Sequence, residues 1–253
     1  MTRAADPVLL LHGQPGDARD WDRVRAAIGD RARTLAFDRP GWDGQSRPRG
    51  LEGNAAAALA ALDRAGTQRA TVAGHSLGGA VAAWLAATRP KRVSRLVLLA
   101  PAANTESLVA LDYVLAAPLV GELATATALI TAGAALATRP LRRLISSGLA
   151  VDTSYLGGAG RRLLVPATWG SFVAEQRMLI RELPQLEPLL GRISVPTTIV
   201  VGTADRLVPP ASARRLAEQI PQAQLVQIDG ANHLLPQQHA RRVAEIIAGS
   251  GVG

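Results

Sequence analysis

The sequence predicts an α/β protein built on a mostly parallel, doubly wound sheet of about six strands, with a helical segment inserted after the fourth. Three observations carry this. Short, continuously apolar runs alternate with helix-like segments over residues 8–100, the alternation stops between residues 102 and 192, and it resumes from Pro196 onward. Strands covered by helices on both faces read as unbroken apolar runs, whereas one-sided strands alternate apolar and polar residues. The implied organisation is a sheet domain of residues 1–101 and 193–253, with residues 102–192 as a helical lid.

Residues 8–11 are the first such run, and His12-Gly13-Gln14-Pro15-Gly16 ends it in a loop. Trp21, Val24 and Ile28 then share one face of a helix over residues 20–28. Residues 34–38 form the second strand, closed by Arg39-Pro40-Gly41, and the alanine-rich stretch 53–65 is helical with Gly66 placed to cap it. The third strand covers 70–73, a helix covers 80–87, and the fourth strand covers 93–100. Within the insertion, Pro and Gly breakers separate helices at 107–115, 119–137, 141–149 and 171–183. Pro196 introduces a fifth strand at 197–201, Pro209-Pro210 opens a helix over 211–219, residues 225–228 form the last strand, and 236–248 a closing helix. Parallel sheets gather their functional loops at the carboxyl ends of the strands. His12, Asp38, Ser76, Asp205 and His233 all fall there.

Composition removes several classes of function. The formal charge is +8, but Lys91 is the only lysine and the arginines are dispersed. Arg139 with Arg142 and Arg143, Arg161-Arg162, Arg214-Arg215 and Arg241-Arg242 are short clusters without interleaved aromatics, so they read as solvated helix faces and no nucleic-acid partner is expected. The chain has no cysteine, which excludes disulfides, thiolate metal sites and a cysteine nucleophile. The apolar run at 8–11 is too short for the core of a signal peptide, so a cytoplasmic location is expected. The uncharged stretch 123–138 falls short of the ~20 strongly apolar residues of a spanning helix. It is expected to face an apolar pocket or to rest on a membrane surface.

The chemistry centres on Gly74-His75-Ser76-Leu77-Gly78, which reads as strand, sharp turn, helix. A G-x-S-x-G turn lifts a serine hydroxyl clear of its neighbours, and the following helix aims backbone N–H groups at developing negative charge. Such a serine needs a base and an acid. Ser76, Asp205 and His233 stand in that order at the ends of three strands. Asp229 and Asp38 are rival acids, read as the cap of an exit turn and as an anchor acting through Arg39. Among the other histidines, His12 reads as a brace of its loop, His75 as directed away from Ser76, and His239 as a surface residue of the closing helix. The Gln14 side chain either donates into a pocket or braces its loop, and Trp42 and Trp169 are either pocket walls or core.

With His12-Gly13-Gln14-Pro15-Gly16, Asp38-Arg39-Pro40-Gly41, Gly202-Thr203-Ala204-Asp205 and Asn232-His233 in register around the Ser76 turn, the chain resembles the α/β-hydrolase family over essentially its whole length. The resemblance implies Ser76 as nucleophile, His233 as general base and then acid, and Asp205 as the carboxylate that orients the imidazole. It further implies an oxyanion hole from the backbone N–H groups of Gln14 and Leu77, with no metal and no organic cofactor. Two departures stand out: with only a few residues before the first strand, the N-terminal antiparallel hairpin common in the family is expected to be missing or vestigial, and the loop at 41–46 reads as one residue longer than usual. Serine at the turn separates the chain from the dehalogenase and epoxide hydrolase branches, which place aspartate there. The expected activity is hydrolysis of a carboxylic ester, thioester or lactone of a mainly apolar small molecule through an acyl-enzyme. The alternatives are a carbon–carbon bond hydrolase or cofactor-free haloperoxidase using the same three residues, or a slow-turnover ligand receptor.

Overall fold

The computed structural model describes residues 6–249. Six strands, β1 (Val8–Leu11), β2 (Thr34–Ala36), β3 (Ala70–His75), β4 (Val93–Leu99), β5 (Thr197–Gly202) and β6 (Gln224–Ile228), form one sheet in the order β2-β1-β3-β4-β5-β6. Every neighbouring pair is parallel. All six carboxyl ends therefore lie along one edge. The helices are α1 (Asp22–Ile28), α2 (Leu51–Arg64), α3 (Leu77–Thr88), α4 (Ala110–Ala116), α5 (Val120–Ala137), α6 (Arg139–Leu149), α7 (Thr153–Leu163), α8 (Pro166–Leu190), α9 (Pro210–Gln219), α10 (Leu235–Gln238) and α11 (Ala240–Ala248). Helices α4 to α8 are the insertion between β4 and β5.

The apolar strands divide residue by residue between two cores, as a period of two requires. Leu9, Leu11, Val72, Leu96, Leu98, Ile199 and Val201 join a core with α2, α3 and α9, while Leu10, Ala73, Val97, Leu99 and Val200 join one with α1 and α11. Each fully buried Val or Leu contributes roughly 1.5–3 kcal/mol. Helix α3 is sunk almost completely, with Ala80, Val81, Ala82, Ala83, Leu85 and Ala86 sealed from solvent. Its small side chains let it lie close against the sheet beneath the turn that carries Ser76. A third, small core of Leu136, Val151 and Leu156 holds the insertion together.

Several elements differ from expectation for identifiable reasons. Strand β2 stops at Ala36, two residues early, because Asp38 turns out to accept a hydrogen bond from the Ala18 amide (2.8 Å). Helix α7 was not expected, since Gly157, Gly158 and Gly160 read as breakers. Gly160 is instead a point of close approach, where a Cβ would lie 2.7 Å from that of Leu136 on α5. Helix α8 runs through Pro184 and Pro188, and Leu183, Leu186 and Leu190 are completely buried along that stretch. Tertiary packing there outweighs a proline penalty of about 3 kcal/mol per residue. The closing helix is two pieces, broken at a half-buried His239.

Helix α5 also departs from one of its expectations. Gly121, Thr125, Gly133 and Leu136 form its buried side, but Val120, Leu123, Thr127, Ile130, Ala134 and Ala137 form a stripe that is exposed on the opposite side. That stripe faces solvent. By length and composition α5 could cross a membrane, yet its buried side is committed to the rest of the insertion, including α7.

Candidate active site

Strand β3 delivers Ser76 to the carboxyl edge of the sheet. His75 is the last strand residue and Leu77 the first of α3, so Ser76 alone makes the turn, with φ 54° and ψ −123°. A non-glycine residue in this region costs about 1–3 kcal/mol and persists only where its surroundings hold it. The Ser76 amide donates to the Leu99 carbonyl (2.9 Å), and the Ser76 carbonyl accepts from Gly79 (2.8 Å) and Ala102 (3.1 Å). Two glycines clear the space around it. At Gly78 a Cβ would overlap the carbonyls of Leu11 and His12, and at Gly13 it would lie 2.9 Å from the Ser76 Cβ. The loop after β1 thus runs directly against the serine, with Gln14 one residue from the contact.

Strands β5 and β6 bring the next two residues together. In the turn after β5, Asp205 Oδ1 accepts from the amides of Leu207 (2.9 Å) and Val208 (3.0 Å), and Oδ2 accepts from His233 Nδ1 (2.8 Å). Asp205 is therefore a turn residue and the partner of the histidine at once. Burial works to raise its pKa, but the hydrogen bond and charge of His233, with the two amides, outweigh this and hold the carboxyl below its ordinary value. An ionised Asp205 fixes the proton of a neutral imidazole on Nδ1 and leaves Nε2 as its basic nitrogen. Ser76, Asp205 and His233 are 8%, 5% and 9% exposed.

His75 does not stand apart from this arrangement. Its Nε2 donates to the His233 carbonyl (2.8 Å), and the two rings lie 4.9 Å apart. Burial first, and then the charge of His233, drives its pKa down to about 3, so it is neutral and tethers the loop that carries His233. His12 braces its own loop as expected: Nδ1 donates to the Gly13 carbonyl (2.8 Å) and Nε2 accepts from the Arg39 amide (3.0 Å). Burial and the neighbouring Arg39 keep it uncharged.

Arg39 is not anchored by Asp38. Asp38 is exposed, whereas the fully buried Arg39 pairs with Glu175 of α8 and donates to the carbonyls of His12 (2.9 Å) and Gly13 (3.1 Å) and to Asn54 Oδ1 (3.1 Å). Trp42 Nε1 donates to the same Glu175 (2.8 Å), and the Trp42 ring stands edge-on to His12. Glu175 was missed in the sequence, where the only signal was an arginine at a strand end that would need a buried counter-charge. The Gln14 side chain is a brace: its Nε2 donates to Gln176 Oε1 (2.6 Å), and Gln176 Nε2 donates to Asp112 Oδ1 (2.9 Å). Trp169 is likewise a brace, donating to the Leu163 carbonyl (2.7 Å). Asp229 stays in its exposed exit turn and accepts from Thr203 Oγ1 (3.0 Å). The longer loop at 41–46 closes on itself through Asp43 and Ser46.

Among the described residues, no group of three or more His, Asp or Glu is placed to hold a metal ion. A cavity of about 630 Å³ lined by Arg95, Val195, Thr197 and Gln222 lies at the amino ends of β4 and β5, away from the edge that carries Ser76.

A strained serine between strand and helix, an Asp–His pair after the last two strands and a helical insertion after β4 together define the alpha/beta hydrolase layout. Residues 8–246 match the model of the alpha/beta hydrolase family, and the chain belongs to that family. Among its relatives, it is 28% identical to a pimeloyl-[acyl-carrier protein] methyl ester esterase of Neisseria meningitidis, over 92% of this chain and 88% of that one. It is 25% identical to a 2-hydroxy-6-oxononadienedioate/2-hydroxy-6-oxononatrienedioate hydrolase of Pseudomonas putida, over 90% of this chain and 82% of that one. The structure of a thermophilic esterase from Thermogutta terrifontis superimposes with a TM-score of 0.72 at 25% identity, covering 98% of this chain and 90% of that one.

Proposed function

We propose that this protein is a serine hydrolase that cleaves a carboxylic ester, thioester or lactone of a mainly apolar small molecule. His233 Nε2 takes the proton of Ser76 Oγ as that oxygen attacks the carbonyl carbon, and the oxyanion is received by the amides of Gln14 and Leu77. The carbonyl re-forms as the bond to the leaving oxygen or sulfur breaks and His233 returns the proton to it. A water that gives its proton to His233 then attacks the acyl-enzyme, and the acid leaves as Ser76 recovers its proton. Asp205 remains ionised throughout and stabilises the imidazolium. Residues 102–192 act in this reading as a lid, tied to the loop after β1 through Gln176 and Glu175.

The observation that carries the reading is the backbone of Ser76: a serine held at positive φ at the end of β3, the geometry of a nucleophile turn, on the sheet edge where Asp205 also holds His233. The esterase relatives support it. The test is labelling with a fluorophosphonate probe, followed by p-nitrophenyl esters of increasing chain length. Labelling that Ser76→Ala abolishes, with turnover favouring longer apolar acyl groups, is expected. A folded wild type that takes no label defeats the proposal, and faster turnover of short or charged esters defeats its substrate class. The Pseudomonas putida relative favours carbon–carbon bond hydrolysis as a second reading, which predicts labelling of Ser76 together with poor turnover of the whole ester panel.

A further inference from the structure

The insertion exposes an apolar surface that nothing in the hydrolytic reading uses. On α5, Leu123 is 71% exposed, and Val120, Thr127, Ile130, Ala134 and Ala137 continue the stripe at helical spacing. Leu119 (84%) adjoins its amino end, and α4, which packs on α5, adds Leu111 and Val114. Two residues beyond the stripe, Arg139 opens α6, where exposed Leu141 and Leu144 alternate with arginines. Arg139 and Arg143 are exposed and form no ion pair among the described residues. From Leu119 to Leu149 the only carboxylate is Glu122, and Arg177 neutralises it.

We propose that this face of α4, α5 and α6 docks on an anionic lipid surface. An exposed apolar stripe continuous with unpaired arginines is the composition of an interfacial helix, whose apolar side enters the headgroup boundary while cations meet lipid phosphates. Helix α5 lies on the bilayer and does not span it, because its Gly121, Thr125, Gly133 and Leu136 side stays packed within the protein. Charge selects lipid over a second copy of the chain. A symmetric dimer would bring this face against itself, where both of its carboxylates are already engaged, Glu122 by Arg177 and Asp112 by the Val109 amide and Gln176, which leaves neither free to meet Arg139 or Arg143.

The experiment is sedimentation of the full chain with phosphatidylcholine vesicles, with and without phosphatidylglycerol, at low and high salt. The wild type is expected to pellet with phosphatidylglycerol vesicles at low salt, and weakly with pure phosphatidylcholine or at high salt. Arg139→Glu with Arg143→Glu should lower the partition at least roughly thirtyfold, and Leu123→Asp with Ile130→Asp at least about tenfold, each with an unchanged melting temperature. Wild type that stays in the supernatant with phosphatidylglycerol, binds both vesicles equally, or binds unaffected by Leu123→Asp with Ile130→Asp overturns the proposal. A wild-type dimer in light scattering that the leucine and isoleucine substitutions convert to monomer also overturns it, by assigning the face to a second copy.

Discussion

Arg39 and Glu175 form an ion pair with side chains 0% and 1% exposed, joining the loop after β2 to the middle of α8. The same guanidinium holds the carbonyls of His12 and Gly13, so one buried charge fixes the loop beside Ser76 and the insertion above it. Removing one member strands the other in a medium that cannot solvate it. Glu175→Ala should therefore lose about 3–5 kcal/mol by chemical denaturation, a fall in Tm of roughly 10 °C for a chain of this size. The double change Arg39→Met with Glu175→Leu should recover most of that loss. A single variant within about 1 kcal/mol of wild type would mean that water reaches the pair.

The turn at Ser76 makes a prediction about stability as well as labelling. Alanine keeps the positive φ penalty and glycine does not. Ser76→Gly should be more stable than Ser76→Ala by about 1 kcal/mol, in spite of the entropy glycine gains when unfolded. Neither should react with a fluorophosphonate. The reverse order of stabilities would mean that the backbone is unstrained there.

Asp205→Asn separates the two duties of that residue. The asparagine oxygen can still accept from the amides of Leu207 and Val208, so Tm should change by only a few degrees. The tautomer of His233 is no longer enforced, and kcat should fall by about 10⁴-fold with KM little altered. A fall of less than tenfold would point to a different acid.

Stability should drop as pH falls below neutrality. His12 and His75 are neutral in the fold, and in the unfolded chain they protonate near 6.5. Below that pH the unfolded state binds more protons, so each histidine removes about 1.4 kcal/mol per pH unit until its folded pKa is reached, about 3 for His75. Above pH 6.5 neither contributes a slope. Asp20 acts oppositely, because burial raises its pKa to about 6, and the folded state therefore holds an extra proton between about 6 and 3.8. One histidine is thereby offset, leaving a net loss of about 1.4 kcal/mol per unit from pH 6 to 4. His75→Gln should make that interval nearly flat. A gain in stability on acidification would contradict the assignment.

What could be read from the sequence was local. Buried parallel strands announce themselves as apolar runs, and the Ser76 turn, Asp205 and His233 each close such a run. Glu175 lies 136 residues from Arg39, and His233 lies 158 from His75, so no nearby pattern marks either pairing. Helix α7 was hidden for a related reason: its glycines look like breaks unless the close neighbour on α5 is known. Pro184 and Pro188 concealed the end of α8 in the same way, since only the buried leucines around them show why the helix continues.

The strand order also governs when the site can exist. Strands β1 to β4 carry Ser76 to the sheet edge, but β6 is the last strand to be synthesised and holds an edge position, and His233 follows it. In the proposed reading, a chain still emerging from the ribosome carries Ser76 before it carries the base, His233. Reactivity of Ser76, in that reading, is a property of the finished sheet.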